Sequence, residues 1–379
     1  MKPWVPLSIG ALATGVGLVN LASASADLSG ELGRAFTTQA VSALVAIAVG
    51  IAASRISLDT YKRMALPAWA IGCAGLIVVL IIGAVGGGAR SWLLLGGSSF
   101  QPSEAMKVLV PLALAAELST PRHSKVTRVI VVAGLINIPI ALISMQPDMG
   151  AVMLVTLGSA TILWLGGLKT RWFIGAGVAG LLAAPIAWAS LFPYQQERIL
   201  TFLDPLRDPT GTGYQTLQSQ YAVAAGGWKG TGWFAGTQGR LGFLPEHETD
   251  FILAVIAEEW GVAGASVALF LLFALVFVGV AIAAQTKHRF TALLAAGLGG
   301  QLFWQVLVNA GGVLGVVPLT GVTLPFLSRG GSSLLIAWVT IGLLMACAAT
   351  LGHGRALLRD PVALSLVRRP SKSAATQDG

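Results

Sequence analysis

Apolar runs of about 20 residues recur along the whole chain, and they set the first limit on its fold. The hydrocarbon core of a bilayer is about 30 Å thick, so a spanning helix needs about 20 apolar residues. Ten candidate runs are found, at roughly 4–25, 36–54, 66–87, 104–119, 127–145, 149–166, 171–192, 251–284, 290–314 and 331–352. The chain is therefore predicted to be an all-α polytopic membrane protein with about ten transmembrane helices. Composition agrees: 55% of the 379 residues are hydrophobic and 11% are charged, with a mean hydropathy of +0.78. A soluble domain carries about 25% charged residues. The 47 glycines suit helices that approach closely in lipid. Met1-Lys2-Pro3-Trp4 leads directly into an apolar run of spanning length, so the first segment reads as a retained helix. Cys73 and Cys347 both fall in apolar runs and are read as buried thiols.

Basic residues orient the chain. With an even number of spans and the N-terminus in the cytoplasm, 16 of the 24 lysines and arginines fall on the inside, as the positive-inside rule favours. Both termini are then cytoplasmic. The net charge of +8 is a topology signal, with no call for nucleic acid as a partner. Residues 1–356 form one transmembrane domain, and 357–379 form a basic cytoplasmic tail, read as disordered.

Acidic residues lean outward. Asp27, Glu31, Glu104, Asp148, Glu197, Asp204, Asp208, Glu246, Glu248 and Asp250 all fall outside or at the outer interface. The long segment there, 192–250, exceeds by far the 12–15 residues beyond which loops are usually functional or disordered. Its aromatic residues, among them Tyr214, Tyr221, Trp228, Trp233 and Phe243, argue for a structured extracytoplasmic loop. No cytoplasmic loop is long enough to hold a domain. The eighth run is too long for a span: 251–284 as one helix measures about 50 Å at about 1.5 Å per residue. Glu258 and Glu259 place its first turns either above the bilayer or along a wet cavity, because carboxylates facing lipid are costly.

Four groups could carry chemistry, each with a plainer reading beside it. Glu246, Glu248 and Asp250 precede an apolar helix. Thr249 or Asp250 is a natural N-cap there, or Asp250 is a general base. His247-Glu248 lacks the second histidine of a zinc protease. Glu104 and Lys107 share a helix face, either as a self-satisfied ion pair or with Lys107 and Arg90 holding a phosphate. Asp148, in Gln146-Pro147-Asp148-Met149-Gly150, is an N-cap or orients a substrate or metal. The stretch from Thr320 to Ser333 is a capped helix start or an anion site built from backbone N–H groups. Gly226, Gly227, Gly230, Gly232 and Gly236 match no phosphate loop.

Taken together and in order, several of these segments resemble the SEDS family (shape, elongation, division and sporulation). They are Gly88-Ala89-Arg90-Ser91-Trp92-Leu93, Phe100-Gln101-Pro102-Ser103-Glu104, Gln146-Pro147-Asp148-Met149-Gly150, Leu203-Asp204-Pro205, Leu244-Pro245-Glu246, Thr249-Asp250-Phe251-Ile252, Pro325-Phe326-Leu327-Ser328 and Gly330-Gly331-Ser332. Gly236-Thr237-Gln238 resembles the RodA branch. Arg329 departs from the aromatic residue many members carry there.

The resemblance implies a ten-helix peptidoglycan glycosyltransferase of the bacterial cytoplasmic membrane. It implies lipid II as substrate, a glycan strand as product and a class B penicillin-binding protein as transpeptidase partner. Asp250 matches the family's essential acid and is the catalytic candidate. Arg90, Lys107, Arg198 and Arg207 are the candidate cations for the pyrophosphate. Glu104, Gln101, Asp148, Glu246, Ser328 and Ser332 complete the candidate binding set. A divalent cation, Mg or Mn, is a further expectation, with Asp250 as its candidate ligand. A flippase of lipid-linked precursor and a non-catalytic scaffold are the alternatives.

Overall fold

The computed structural model describes residues 1–26, 33–86, 89–95, 98–120, 123–190, 193–211, 213–239 and 241–357. The tail beyond 357 lies outside them. Each apolar run is helical over most of its described length. The helices are α1 (Trp4–Ala24), α2 (Arg34–Ser54), α3 (Leu58–Ile82), α4 (Pro102–Ser119), α5 (Lys125–Ser144), α6 (Met149–Leu165), α7 (Thr170–Ser190), α8 (Pro193–Leu203), α9 (Tyr214–Gly226), α10 (Ile252–Gln285), α11 (Arg289–Val313) and α12 (Gly331–Leu357). By length and composition seven of them can cross a bilayer: α1, α2, α3, α5, α10, α11 and α12. Helices α6 and α7 have shorter apolar stretches, and α4 carries Glu104, Lys107 and Glu117. A helix satisfies its own backbone, which is why lipid selects it.

Two features depart from the expected pattern. The third helix starts at Leu58 instead of 66, because Ser57 caps it by accepting from the Thr60 N–H at 3.2 Å. It ends before Gly83, and an antiparallel sheet of three short strands follows: β1 (Ala84–Gly86), β2 (Ala89–Leu95) and β3 (Ser98–Phe100). Glycine pairs in the sequence separate the strands, as hairpins require. The sheet lies against α3 and α4, and β3 reaches α12.

Helix α12 packs along α2, α11 along α10 and α6, and α4 along α3. Where α2 and α12 cross, a Cβ on Gly342 would sit 2.2 Å from the Gly50 carbonyl oxygen, so the backbones touch. Cys73 and Cys347 are free and buried, as read.

The excess length of the eighth run is resolved by a break. Gly261 has φ 70° and ψ −175°, so α10 is two helices, residues 252–260 and 262–285. A break leaves N–H and C=O groups without helical partners, and the glycine-rich segment after α9 supplies them. The N–H groups of Thr231 and Gly232 donate to Glu258 and Glu259 at 2.9 and 3.0 Å. Those of Val262 and Ala263 donate to Gly227 and Trp228 at 2.9 and 3.3 Å. Gly226 allows the approach, since a Cβ there would lie 1.8 Å from the Ala257 carbonyl oxygen.

Glu258 and Glu259 are therefore shielded from lipid by protein and not by water. Both are buried in protein. Glu258 accepts from the Thr237 N–H at 2.6 Å, its hydroxyl at 3.0 Å and the Gln238 N–H at 3.2 Å. Glu259 accepts from the Ser23 hydroxyl of α1.

Candidate functional site

The turn leading into α10 is wound by its own backbone. Glu246 takes φ 55°, and its carbonyl accepts from the N–H groups of Thr249, Asp250 and Phe251 at 3.1, 3.1 and 3.3 Å. Phe251 occupies the N-cap position, without a side-chain cap. The helix thus does not use Thr249 or Asp250 as its cap. Among the described residues no donor reaches the Asp250 carboxylate. The group is partly buried, and burial raises its pKa from 3.8 to about 6, with the nearby Glu246 charge adding to the rise.

A second segment, Thr320–Ser333, closes over this turn. The Arg329 N–H donates to the Glu248 carbonyl at 2.8 Å, and the two side chains form an ion pair. The Ser328 hydroxyl donates to the Thr249 carbonyl and accepts from the Leu324 N–H at 2.8 Å. Gly321 faces the acid: a Cβ there would lie 3.6 Å from Asp250 Oδ2.

Helix α11 braces both segments from below. Gln301, Gln305 and Asn309 are four apart and all buried, so they form a polar stripe on one face. Asn309 Nδ2 donates to the carbonyls of Asp250 at 2.8 Å and Val322 at 2.7 Å. Gln305 donates to the Thr323 carbonyl at 3.0 Å. Among the described residues neither polar atom of the Gln301 amide has a hydrogen-bond partner. It lines a small cavity between α4, α11 and α12 together with Glu104, Lys107, Gln305 and Ser333.

The other expected site residues fall into distinct places. Glu104 and Lys107 form a buried ion pair at 2.6 Å. Asp148 caps α6 by accepting from the Ala151 N–H at 3.0 Å, while its other oxygen accepts from Gln101 at 2.9 Å and Ser103 at 3.0 Å. Ser332 accepts from the Gln101 N–H at 3.2 Å and donates to the Ser99 carbonyl at 3.1 Å. Gln101, Asp148 and Ser332 thus tie the starts of α4, α6 and α12 together. Arg207 stands apart on the turn after α8, paired with Glu197 at 3.1 Å and exposed. The backbones of Arg90 and Arg198 lie in β2 and α8, and their side chains lie outside the described residues. Segment 320–333 joins the groups: it holds the Asp250 turn at one end, and at the other the Ser333 hydroxyl bonds that of Thr323 at 2.9 Å beside the Lys107 cavity.

Among the described residues no three or more His, Cys, Asp or Glu side chains converge to hold a metal. Asp250 and Glu246 are two oxygen-donor side chains at one turn. Magnesium is commonly held by one or two carboxylates together with substrate phosphates, so this set fits such an ion.

The model of the family described as "Cell cycle protein", which joins FtsW, RodA and SpoVE, matches residues 4–352. The chain belongs to this family. Peptidoglycan glycosyltransferase MrdB of Escherichia coli K12 is 43% identical over 277 residues, covering 72% of this chain and 74% of that relative. A probable peptidoglycan glycosyltransferase FtsW of Aliivibrio salmonicida is 37% identical over 350 residues, covering 89% and 86%. A chain solved in a study of polymerization and crosslinking by a peptidoglycan synthase complex superposes with a TM-score of 0.80 at 31% identity, covering 92% of this chain and 98% of that one. The Thermus thermophilus rod shape determining protein RodA superposes with a TM-score of 0.68 at 27% identity, covering 91% and 96%. The SEDS fold expected from the motifs is the fold found.

Proposed function

We propose that the chain is a peptidoglycan glycosyltransferase that polymerises lipid II, with Asp250 as general base. The observation that carries the base assignment is the state of that carboxylate. It is partly buried, it caps no helix, and no donor among the described residues reaches it, which leaves its oxygens for a substrate. The relatives named as peptidoglycan glycosyltransferases support the reaction class.

In this reading the 4-hydroxyl of an acceptor sugar gives its proton to Asp250. The oxygen attacks the anomeric carbon of the donor, the bond to the polyprenyl diphosphate breaks, and inversion leaves a β-1,4 link. Glycosidases use a second carboxyl to protonate the departing oxygen. Diphosphate leaves as an anion and needs positive charge in place of a proton. Arg90, Arg198 and Arg207 are the candidates to supply that charge. Lys107 is already matched by Glu104 and contributes as part of that pair. A magnesium or manganese ion held by Asp250 and Glu246 would supply further charge to the diphosphate.

The basic residues orient the site outward, and the donor's own activation drives the reaction. The likeness to the rod shape determining protein RodA and the Gly236-Thr237-Gln238 segment support a role in cell elongation and shape. The likeness to a chain of a synthase complex supports a class B penicillin-binding protein as partner.

The test is polymerisation of labelled lipid II by the purified protein in detergent, with and without that partner. Glycan strands that need this chain support the proposal. Transbilayer movement of lipid II without polymer identifies a flippase, and polymer only from the partner identifies a scaffold.

A further inference from the structure

The proposed reaction leaves many buried polar groups unused. Asn309 stands out among them, because one amide nitrogen serves two separate chain segments that meet at the acid.

We infer that Asn309 is a positioning residue for Asp250, fixing the gap between the acid and the Gly321–Thr323 wall by bonding both backbones at once. The inference rests on the reading of Asp250 as base. Four observations carry it. Nδ2 has two hydrogens, and they go to two carbonyls, of Asp250 at 2.8 Å and Val322 at 2.7 Å. The amide is buried and, among the described residues, its Oδ1 has no hydrogen-bond partner, so its hydrogen bonds are the two that Nδ2 donates. A buried acceptor without a partner is costly, and here the double donation accompanies that cost. Gly321, beside Val322, faces the carboxylate on that wall, 3.6 Å from Oδ2 to where a Cβ would stand. The distance across the site is thus set by one side chain of α11, a helix that provides none of the reacting groups.

The ties on either side do not replace it. Ser328 joins Thr249 to the far end of the same segment, and Gln305 holds Thr323 without touching the turn. Only Asn309 joins residue 250 to the wall directly among the described residues.

A bond of this kind acts on geometry and not on substrate binding. Losing it should therefore lower kcat and leave KM for lipid II in place, since a small misplacement of a catalytic group can cost on the order of 100-fold.

The variant that isolates the donor is Asn309→Asp, which keeps the shape and removes both N–H groups. Asn309→Ala removes the shape as well. Hydrogen exchange by mass spectrometry on the full chain in detergent should show faster exchange over residues 246–251 and 320–325 in both variants, with the rest of α11 unchanged. Gln305→Leu, which removes the bond to Thr323, should leave 246–251 as in the parent. In lipid II polymerisation Asn309→Asp should lose on the order of 10- to 100-fold in kcat with KM within about twofold.

Unchanged exchange over 246–251 in Asn309→Asp would overturn the inference, as would a loss confined to KM. Global loss of protection in both variants would also overturn it, since Asn309 would then support the fold as a whole. Asp250→Asn in the same assay separates the two readings. Full polymerisation by Asp250→Asn removes the base, whereas the exchange result stands or falls on Asn309 alone.

Discussion

Arg329 holds Glu248 by two independent bonds: its backbone N–H donates to the Glu248 carbonyl at 2.8 Å, and its guanidinium pairs with the Glu248 carboxylate. The resemblance sets Arg329 apart from the aromatic residue many members carry there, and the ion pair gives the arginine a structural use. The side chains are 46% and 18% exposed, and exposed pairs are worth about 0.2–1 kcal/mol. Arg329→Ala and Glu248→Ala should each cost about that much, and a double-mutant cycle on thermal unfolding should return a coupling below about 1 kcal/mol. A coupling of several kcal/mol would mean that the pair, and not the backbone bond, closes the site.

Activity should follow the ionisation of Asp250. Burial first and Glu246 second raise its pKa to about 6, and only the ionised form takes a proton. The rate kcat/KM should rise with pH through about 6 and level above it. A carboxyl with a raised folded-state pKa stabilises the fold below its unfolded value and loses that contribution as pH rises through about 6. Asp250→Asn should therefore be at least as stable as the parent at pH 7.5, which a thermal scan in detergent reads. An acid limb near the ordinary 3.8, or an Asn variant that melts well below the parent, would contradict the burial described.

The break in α10 should not accept a side chain. Gly261 sits in a backbone region that only glycine adopts without strain, and a Cβ there would lie 2.3 Å from the Trp228 carbonyl oxygen. Strain of this kind costs about 1–3 kcal/mol. Gly261→Ala should lower the unfolding midpoint accordingly and free the 226–232 segment for proteolysis. An unchanged midpoint would show that the helix runs straight through.

Lys107 tests the buried pair. Removing one partner of such a pair typically costs about 3–5 kcal/mol, because the other charge is left buried and alone. Lys107→Met should be strongly destabilised, and adding Glu104→Leu should recover most of the loss. If Lys107→Met folds with full stability and only raises KM for lipid II, the lysine belongs to the donor and not to Glu104.

Much of this was legible in the amino-acid sequence, and for identifiable reasons. Apolar runs show helices because lipid leaves them few alternatives, so most edges agree within a few residues. The acids before Ile252 marked the turn, because charge is rare in so apolar a chain. The break at Gly261 was hidden, since hydropathy does not change across it. The glycines from 226 to 236 match no phosphate loop; Gly226, Gly230 and Gly236 serve close approach to α10 beside that break, which needs a partner far along the chain. Asn309 was missed for a similar reason. Three amides four residues apart in one span were visible, but their acceptors lie on loops that only the fold brings near. The Glu104–Lys107 spacing showed a shared face without showing which partner the lysine keeps.

The central claim is that Asp250 takes the acceptor's proton. The most direct test is the rate at which purified Asp250→Asn polymerises lipid II, compared with the parent at equal folded protein. A positioned base typically contributes about 10²–10⁴-fold, so the account predicts a loss of at least 100-fold with lipid II binding retained. Polymerisation by the Asn variant within a few fold of the parent would contradict it.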